Sequence, residues 1–192
     1  MDSDIAHRKR ALRAELRERR RNLTSREREA ATAGFTANLQ SLVIDLSARS
    51  LSCYLSATNE PNTRPFLNWA HDQGLTVLLP ISREDGLLDW TVGDNESEFE
   101  GIAGVPEAVG ELLGPIAINN VDLIIVPAAA VDATGLRMGW GRGYFDKTLG
   151  SMEKCPPVYA LVFDSEYVDD VPREVHDQPV NGLVTPTRII AF

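Results

Sequence analysis

The sequence predicts an α/β fold: a single three-layer α/β/α domain with a mostly parallel sheet and an N-terminal helical arm. Three observations predict it. Residues 50–79 spell strand, helix, strand, which makes a parallel pair with a right-handed crossover. Two aliphatic runs, 121–126 and 158–163, have the near-continuous hydrophobicity of strands buried on both faces. Residues 5–21 and 25–46 carry helical periodicity instead.

Residues 5–21 combine helix-forming Ala, Leu, Glu and Arg with Ile5, Leu12 and Leu16 on one face. Thr24 followed by Glu27 is a capping-box pattern. Phe35, Leu39, Leu42 and Leu46 then recur at helical steps, predicting a second helix over 25–46. Short strands are expected at 50–55 and 75–79, flanking a helix that carries Phe66, Leu67, Trp69 and Ala70. Residues 84–120 are less regular: 87–92 is expected as an edge strand, and 101–115 as loops with a helical turn or two. After the strands at 121–126 and 158–163, short β segments at 180–184 and 188–191 finish the chain. The expected organisation is one domain, 1–192, with the helices of 1–46 packing on an α/β body of 47–192.

Composition narrows the function. At 192 residues, 43% hydrophobic and 24% charged, the chain is neither disordered nor fibrous. Its apolar stretch at 123–130 contains Pro127 and falls far short of the about 20 residues a bilayer requires, so no membrane association is expected. Cys53 and Cys155 form no disulfide framework and suit a reducing compartment, and no signal-peptide pattern is present, so the expected location is cytoplasmic. The formal net charge of −9 argues against general nucleic-acid binding. The charge is uneven, however. Residues 1–30 hold ten Lys or Arg against six Asp or Glu, while the remainder holds nine against twenty-two. This basic arm on an acidic body is either a solvated helix face or an anion clamp.

The chemistry concentrates in residues 135–146. Gly135, Gly139, Gly141 and Gly143 follow a predicted strand, and alternating glycines let the backbone approach a ligand and point amides at an anion. A hairpin or bulge loop is the structural alternative. Residues 144–149 can start a helix whose free amides favour anions. The glycine spacing is neither a Walker A loop nor a dinucleotide fingerprint. Asp146 and Asp177 are candidate Mg²⁺ ligands, since Mg²⁺ is commonly held by one or two carboxylates plus waters and phosphates; a capping or turn role is the alternative for each. His176 is a candidate supporting group or a surface residue. No zinc spacing and no Gly-x-Ser-x-Gly nucleophile elbow occurs.

These motifs together resemble the 5-formyltetrahydrofolate cyclo-ligase (5,10-methenyltetrahydrofolate synthetase) family along nearly the whole chain. The most specific block is VPAAAVDATGLRMGWGRGYFDKTL at 126–149. KRALR at 9–13, YLSATNEPNT at 54–63 and VPREVHDQPV at 171–180 agree in order. The chain departs from the family pattern at Glu166, where Gln is common, at Phe145, where Tyr is frequent, and at Trp140, which replaces Tyr or Arg inside the glycine loop.

The resemblance implies ATP- and Mg²⁺-dependent conversion of 5-formyltetrahydrofolate to 5,10-methenyltetrahydrofolate through a phosphorylated formyl group, with ADP and phosphate released. It implies ATP contacts at Lys9, Arg10, Ala11, Leu12 and Arg13, and at Arg137, Met138, Gly139, Trp140, Gly141, Arg142, Gly143, Tyr144 and Phe145. It implies folate contacts at Leu55, Glu60, Trp140, Gly141, Arg142, Gly143 and Tyr144, metal ligation by Asp146 and Asp177, and catalytic roles for Arg137 and Tyr144. Trp140 either stacks on folate or plugs the core beneath its loop. The expected partners are the two small-molecule substrates, and a monomer is expected. Two other classes stay open: a non-catalytic nucleotide or RNA-binding module needing neither Asp, and an ATP-independent isomerase or transferase on a related α/β scaffold.

Overall fold

A computed structural model describes residues 2–192. Helix α1 (Asp2–Arg21) and helix α2 (Ser25–Asp45) form the arm. Thr24 caps the start of α2: its Oγ1 accepts the Glu27 N–H at 3.2 Å, and Glu27 Oε2 accepts the Thr24 N–H at 2.7 Å, completing the capping box.

The central sheet is built from β1 (Ser50–Ser52), β2 (Thr76–Ser82), β3 (Leu88–Thr91), β6 (Leu112–Leu113), β7 (Leu123–Pro127), β10 (Val158–Leu161), β12 (Gly182–Val184) and β13 (Ile189–Ala191). Its order is β13-β12-β10-β7-β1-β2-β3-β6. The five strands from β12 to β2 are parallel, with antiparallel strands at both margins. Along β7, Leu123 and Ile125 face one core with α2 and α3 (Arg64–Asp72), while Ile124 and Val126 face a second core. The second core is closed by a 3-10 turn at Pro115–Asn120 and by α4 (Tyr144–Gly150). That alternation is why the aliphatic run reads as buried on both sides. The result is the three-layer α/β architecture the sequence predicts.

Helix α1 lies outside those layers. Its Leu16, fully buried, and Leu12 pack on Ala129, Ala130, Leu136, Met138 and Val171. These residues belong to or adjoin a hairpin of β8 (Ala130–Asp132) and β9 (Arg137–Met138); β8 also pairs in parallel with β11 (Tyr167–Val168).

Two expectations change. Within 101–115 the expected helical turn is confined to the end, where the 3-10 turn starts at Pro115; the rest supplies β5 (Pro106–Ala108), paired antiparallel with β4 (Glu98–Glu100), and then β6. Gly101, Gly104 and Gly110 with Pro106 disfavour helix there, and ladder pairing satisfies the backbone instead. β3 is second from the margin, covered by the two-residue β6, which is how Trp90 is completely buried.

Candidate active site

The carboxyl ends of the parallel strands meet under α1, at the place where open α/β sheets bind ligands. β7 ends at Pro127 and passes into the β8–β9 hairpin. Asp132 sets that hairpin: Oδ1 accepts the Thr134 and Leu136 N–H groups and the Thr134 hydroxyl, and Oδ2 accepts the Val171 N–H. Burial opposes ionisation of Asp132, but these hydrogen bonds outweigh it and hold the carboxyl below its ordinary value. Gly135 turns the hairpin with φ +81°, so this first glycine serves a turn. The later ones form the loop into α4. Gly141 (φ +102°) lies against the Arg13 guanidinium, and Gly143 (φ +74°) caps α4; both conformations suit glycine.

A cavity of about 800 Å³ opens there. Of the residues the sequence singles out, Lys9, Arg10, Arg13, Leu55, Glu60, Arg137, Asp177 and the segment 139–146 line it. Ala11, Leu12 and Met138 do not. Ala11 is exposed on α1, whereas Leu12 and Met138 pack in the cluster under the arm. Among the lining residues that sequence reasoning misses are Arg17, Arg20, Tyr54, Glu107 and Glu174. The two arginines were legible in principle, because Lys9, Arg13, Arg17 and Arg20 step by four, four and three along one helix face.

The basic wall is held by named partners. Lys9 is 4% exposed, and its Nζ donates to Glu174 Oε2 at 2.5 Å and Asp177 Oδ2 at 2.7 Å. Asp177 Oδ2 also accepts the Glu174 N–H. Arg13 Nε donates to the Gly139 carbonyl at 2.8 Å, tying the arm to the glycine loop. Burial and the neighbouring Arg17 lower Arg13 from the usual arginine value. Arg137 is buried: Nη1 donates to the Pro127 carbonyl at 2.8 Å, Nη2 lies 3.1 Å from Asp146 Oδ1, and Nε has no partner among the described residues. The Trp140 ring has the Arg20 guanidinium at 4.7 Å and that of Arg17 at 5.2 Å, and it also packs on the Leu12–Leu16 cluster. Trp140 therefore both lines the cavity and rests on the arm. Opposing this positive wall is Glu60, whose carboxyl burial pushes up despite the Ala57 N–H it accepts at 2.7 Å.

The donor set fits a hard divalent cation. Asp146 Oδ1 is engaged by Arg137 and by the Gln178 N–H, and Asp177 Oδ2 by Lys9 and Glu174. Among the described residues, Asp146 Oδ2 receives no hydrogen bond and Asp177 Oδ1 has only the His176 ring at 3.9 Å. Each carboxylate thus keeps one oxygen without a hydrogen-bond donor, the kind of ligand atom a hard divalent cation takes. Glu174, His176 and Asp177 also bring ligand atoms within 4.8 Å of one another.

Cationic side chains, a close-approach backbone and spare carboxylate oxygens at a sheet crevice define a site for ligands bearing phosphates or carboxylates. Comparison with known proteins narrows that class. The profile described as the 5-formyltetrahydrofolate cyclo-ligase family matches residues 5–186, and the chain belongs to this family. It is similar to the 5-formyltetrahydrofolate cyclo-ligase of Mycolicibacterium smegmatis, with 32% identity over 92% of this chain and 93% of that one. The enzyme of the same name from Escherichia coli is 24% identical over 91% and 98%. Among solved structures, the 5,10-methenyltetrahydrofolate synthetase of Aquifex aeolicus superposes with a TM-score of 0.79 at 26% identity, covering 95% of this chain and 92% of that one. That of Mycoplasma pneumoniae superposes at 0.74 and 16% identity, over 93% and 98%, and shares the fold.

Proposed function

We propose that this chain cyclises 5-formyltetrahydrofolate to 5,10-methenyltetrahydrofolate with consumption of ATP, releasing ADP and phosphate. Family membership supports the reaction. The observation that carries it for this chain is the cavity itself, which joins the cations of α1 and β9 to the glycine loop and to two half-free aspartates.

The chemistry requires activation, because a formamide carbon is a weak electrophile and its oxygen a poor leaving group. The formyl oxygen attacks the terminal phosphorus of ATP, and ADP leaves. The neighbouring folate N–H nitrogen then attacks the formyl carbon and releases its proton to solvent, and phosphate departs carrying the formyl oxygen. Catalysis of such a transfer consists mainly of positioning and charge stabilisation. Arg13 and Arg137 bind the polyphosphate and neutralise charge that develops on its terminal group. Gly139, Gly141 and Gly143 let the backbone approach that group, and Tyr144 lines the cavity beside it. Asp146 and Asp177 would hold Mg²⁺, which offsets phosphate charge when bound. Lys9, buried against Asp177, orients that carboxylate. Leu55, Glu60 and Trp140 face the folate. The two N-terminal helices and the α/β body act as one unit, with the arm as one wall of the site.

The experiment is spectroscopic. Purified protein given 5-formyltetrahydrofolate, ATP and Mg²⁺ should develop the methenyl chromophore, and omission of either ATP or Mg²⁺ should abolish it. Equal product without nucleotide would overturn the reading in favour of an ATP-independent enzyme.

A further inference from the structure

Glu107, on β5, is 3% exposed and lines the cavity, yet no Lys, Arg or His among the described residues comes within ion-pair distance of it. Its Oε1 accepts the Ser82 N–H at 2.8 Å, and Oε2 has no hydrogen bond among the described residues. A buried carboxylate without a counter-charge and with most of its acceptor capacity unused is a costly arrangement. The fold nevertheless makes room for it. A Cβ on Gly101 would overlap the carboxylate carbon and both oxygens, so the group sits there only because residue 101 lacks a side chain. Pro80, Leu88, Val105 and Pro106 supply apolar surface to the same cavity.

A flat ring between apolar walls with an acceptor-only group at its edge is a site for a heterocycle presenting N–H donors. The 2-amino-4-oxo ring of a reduced folate presents adjacent N–H groups along one edge, matching the carboxylate. Adenine pairs an amino donor with a ring-nitrogen acceptor, which a carboxylate repels. We propose that Glu107 is a ligand-binding carboxylate that accepts the 2-amino and ring N–H groups of the folate heterocycle and sets specificity for that edge. The inference rests on the folate reading above and extends it to a residue that neither the sequence motifs nor the arm supply.

The test is calorimetric titration of wild type and Glu107→Gln with 5-formyltetrahydrofolate and, separately, with a non-hydrolysable ATP analogue. Gln keeps an acceptor for the Ser82 N–H but loses the charge and half of the acceptor edge. Folate affinity should fall roughly 10- to 100-fold, the range for a hydrogen bond to a charged group, with nucleotide affinity within about twofold and the melting temperature unchanged or raised. A 2-desamino folate should bind wild type weakly, with little further loss in the variant. Unchanged folate affinity, or equal losses for both ligands with a lowered melting temperature, would overturn the proposal. Should Glu107→Gln fail to fold, Gly101→Ala displaces the same carboxylate by steric overlap and must produce the same ligand-selective loss. A wild-type protein that binds no folate at all fails the functional reading itself, a result distinct from equal binding by wild type and variant.

Discussion

Arg20 and Glu166, 146 residues apart, meet in a buried two-point pair: Nε lies 2.6 Å from Oε1 and Nη2 2.9 Å from Oε2. Arg20 also donates to the Ala128 carbonyl at 2.9 Å and stacks near Trp140, while Glu166 accepts the Phe163 N–H. The buried charge of Glu166 is thus matched by an arginine of the arm. Removing one partner of a buried pair strands the other at a cost of about 3–5 kcal/mol. Arg20→Ala should therefore lower the melting temperature by roughly 6–20 °C, at 2–4 °C per kcal/mol for a chain of this size. Glu166→Gln, which keeps an oxygen for Arg20, should cost less. Circular dichroism melts of the two variants check the order.

Arg13→Ala should raise the apparent ATP constant by about one to two decades, the worth of one charged contact. Arg19→Ala should leave it unchanged, because Arg19 is exposed and paired with Glu15. Steady-state kinetics in ATP separate a directed clamp from a diffuse basic patch, for which the two variants would behave alike.

Asp146→Asn and Asp177→Asn should each depress Mg²⁺-dependent turnover strongly and shift the Mg²⁺ requirement upward. Their stabilities should differ. Asp177 and Lys9 are both nearly inaccessible, so Asp177→Asn leaves a buried ammonium with only the more exposed Glu174 and lowers the melting temperature. Asp146→Asn should cost little by comparison. Titrating Mg²⁺ in the activity assay, with a parallel melt, tests both halves.

Helix caps, the two-faced β7 run and the glycine loop were legible because each is local: a Thr-to-Glu spacing, a continuous aliphatic stretch, a string of glycines. Glu107 was not. It lies in a stretch with no helical or strand periodicity, and only pairing of β4 with β5, together with Gly101, gives it its seat. Arg20 carries no mark distinguishing it from Arg19 or Arg21; its burial follows from a partner 146 positions away. The hairpin role of Gly135 and the cavity-lining position of Gly141 are likewise indistinguishable as letters, and separate only through the Asp132 turn and the docking of Arg13.

Burial raises the Glu60 carboxyl above its ordinary range. An acid raised on folding binds its proton more tightly in the native state, so its contribution to stability is present at low pH and is lost as pH climbs from the ordinary glutamate range through the raised value. Glu60→Gln should therefore gain on wild type as pH rises through that window, and the gap should level off above it. Urea midpoints measured from acid to neutral pH report the difference.

Trp140 emission should change when folate binds, and Trp140→Phe should remove that change while Trp69 and Trp90 continue to emit. Trp140→Ala should weaken folate binding and also lower the melting temperature, since the ring rests on the Leu12–Leu16 cluster as well as lining the cavity. Fluorescence titration beside a melt distinguishes this from a plug, for which affinity would not move.

Transfer of the formyl oxygen to phosphorus is the central step of the account, and an isotope label follows it directly. With ¹⁸O in the formyl group of 5-formyltetrahydrofolate and unlabelled ATP and water, mass spectrometry of the released phosphate should find one ¹⁸O per phosphate formed. Phosphate that carries no label while methenyltetrahydrofolate accumulates would contradict the account.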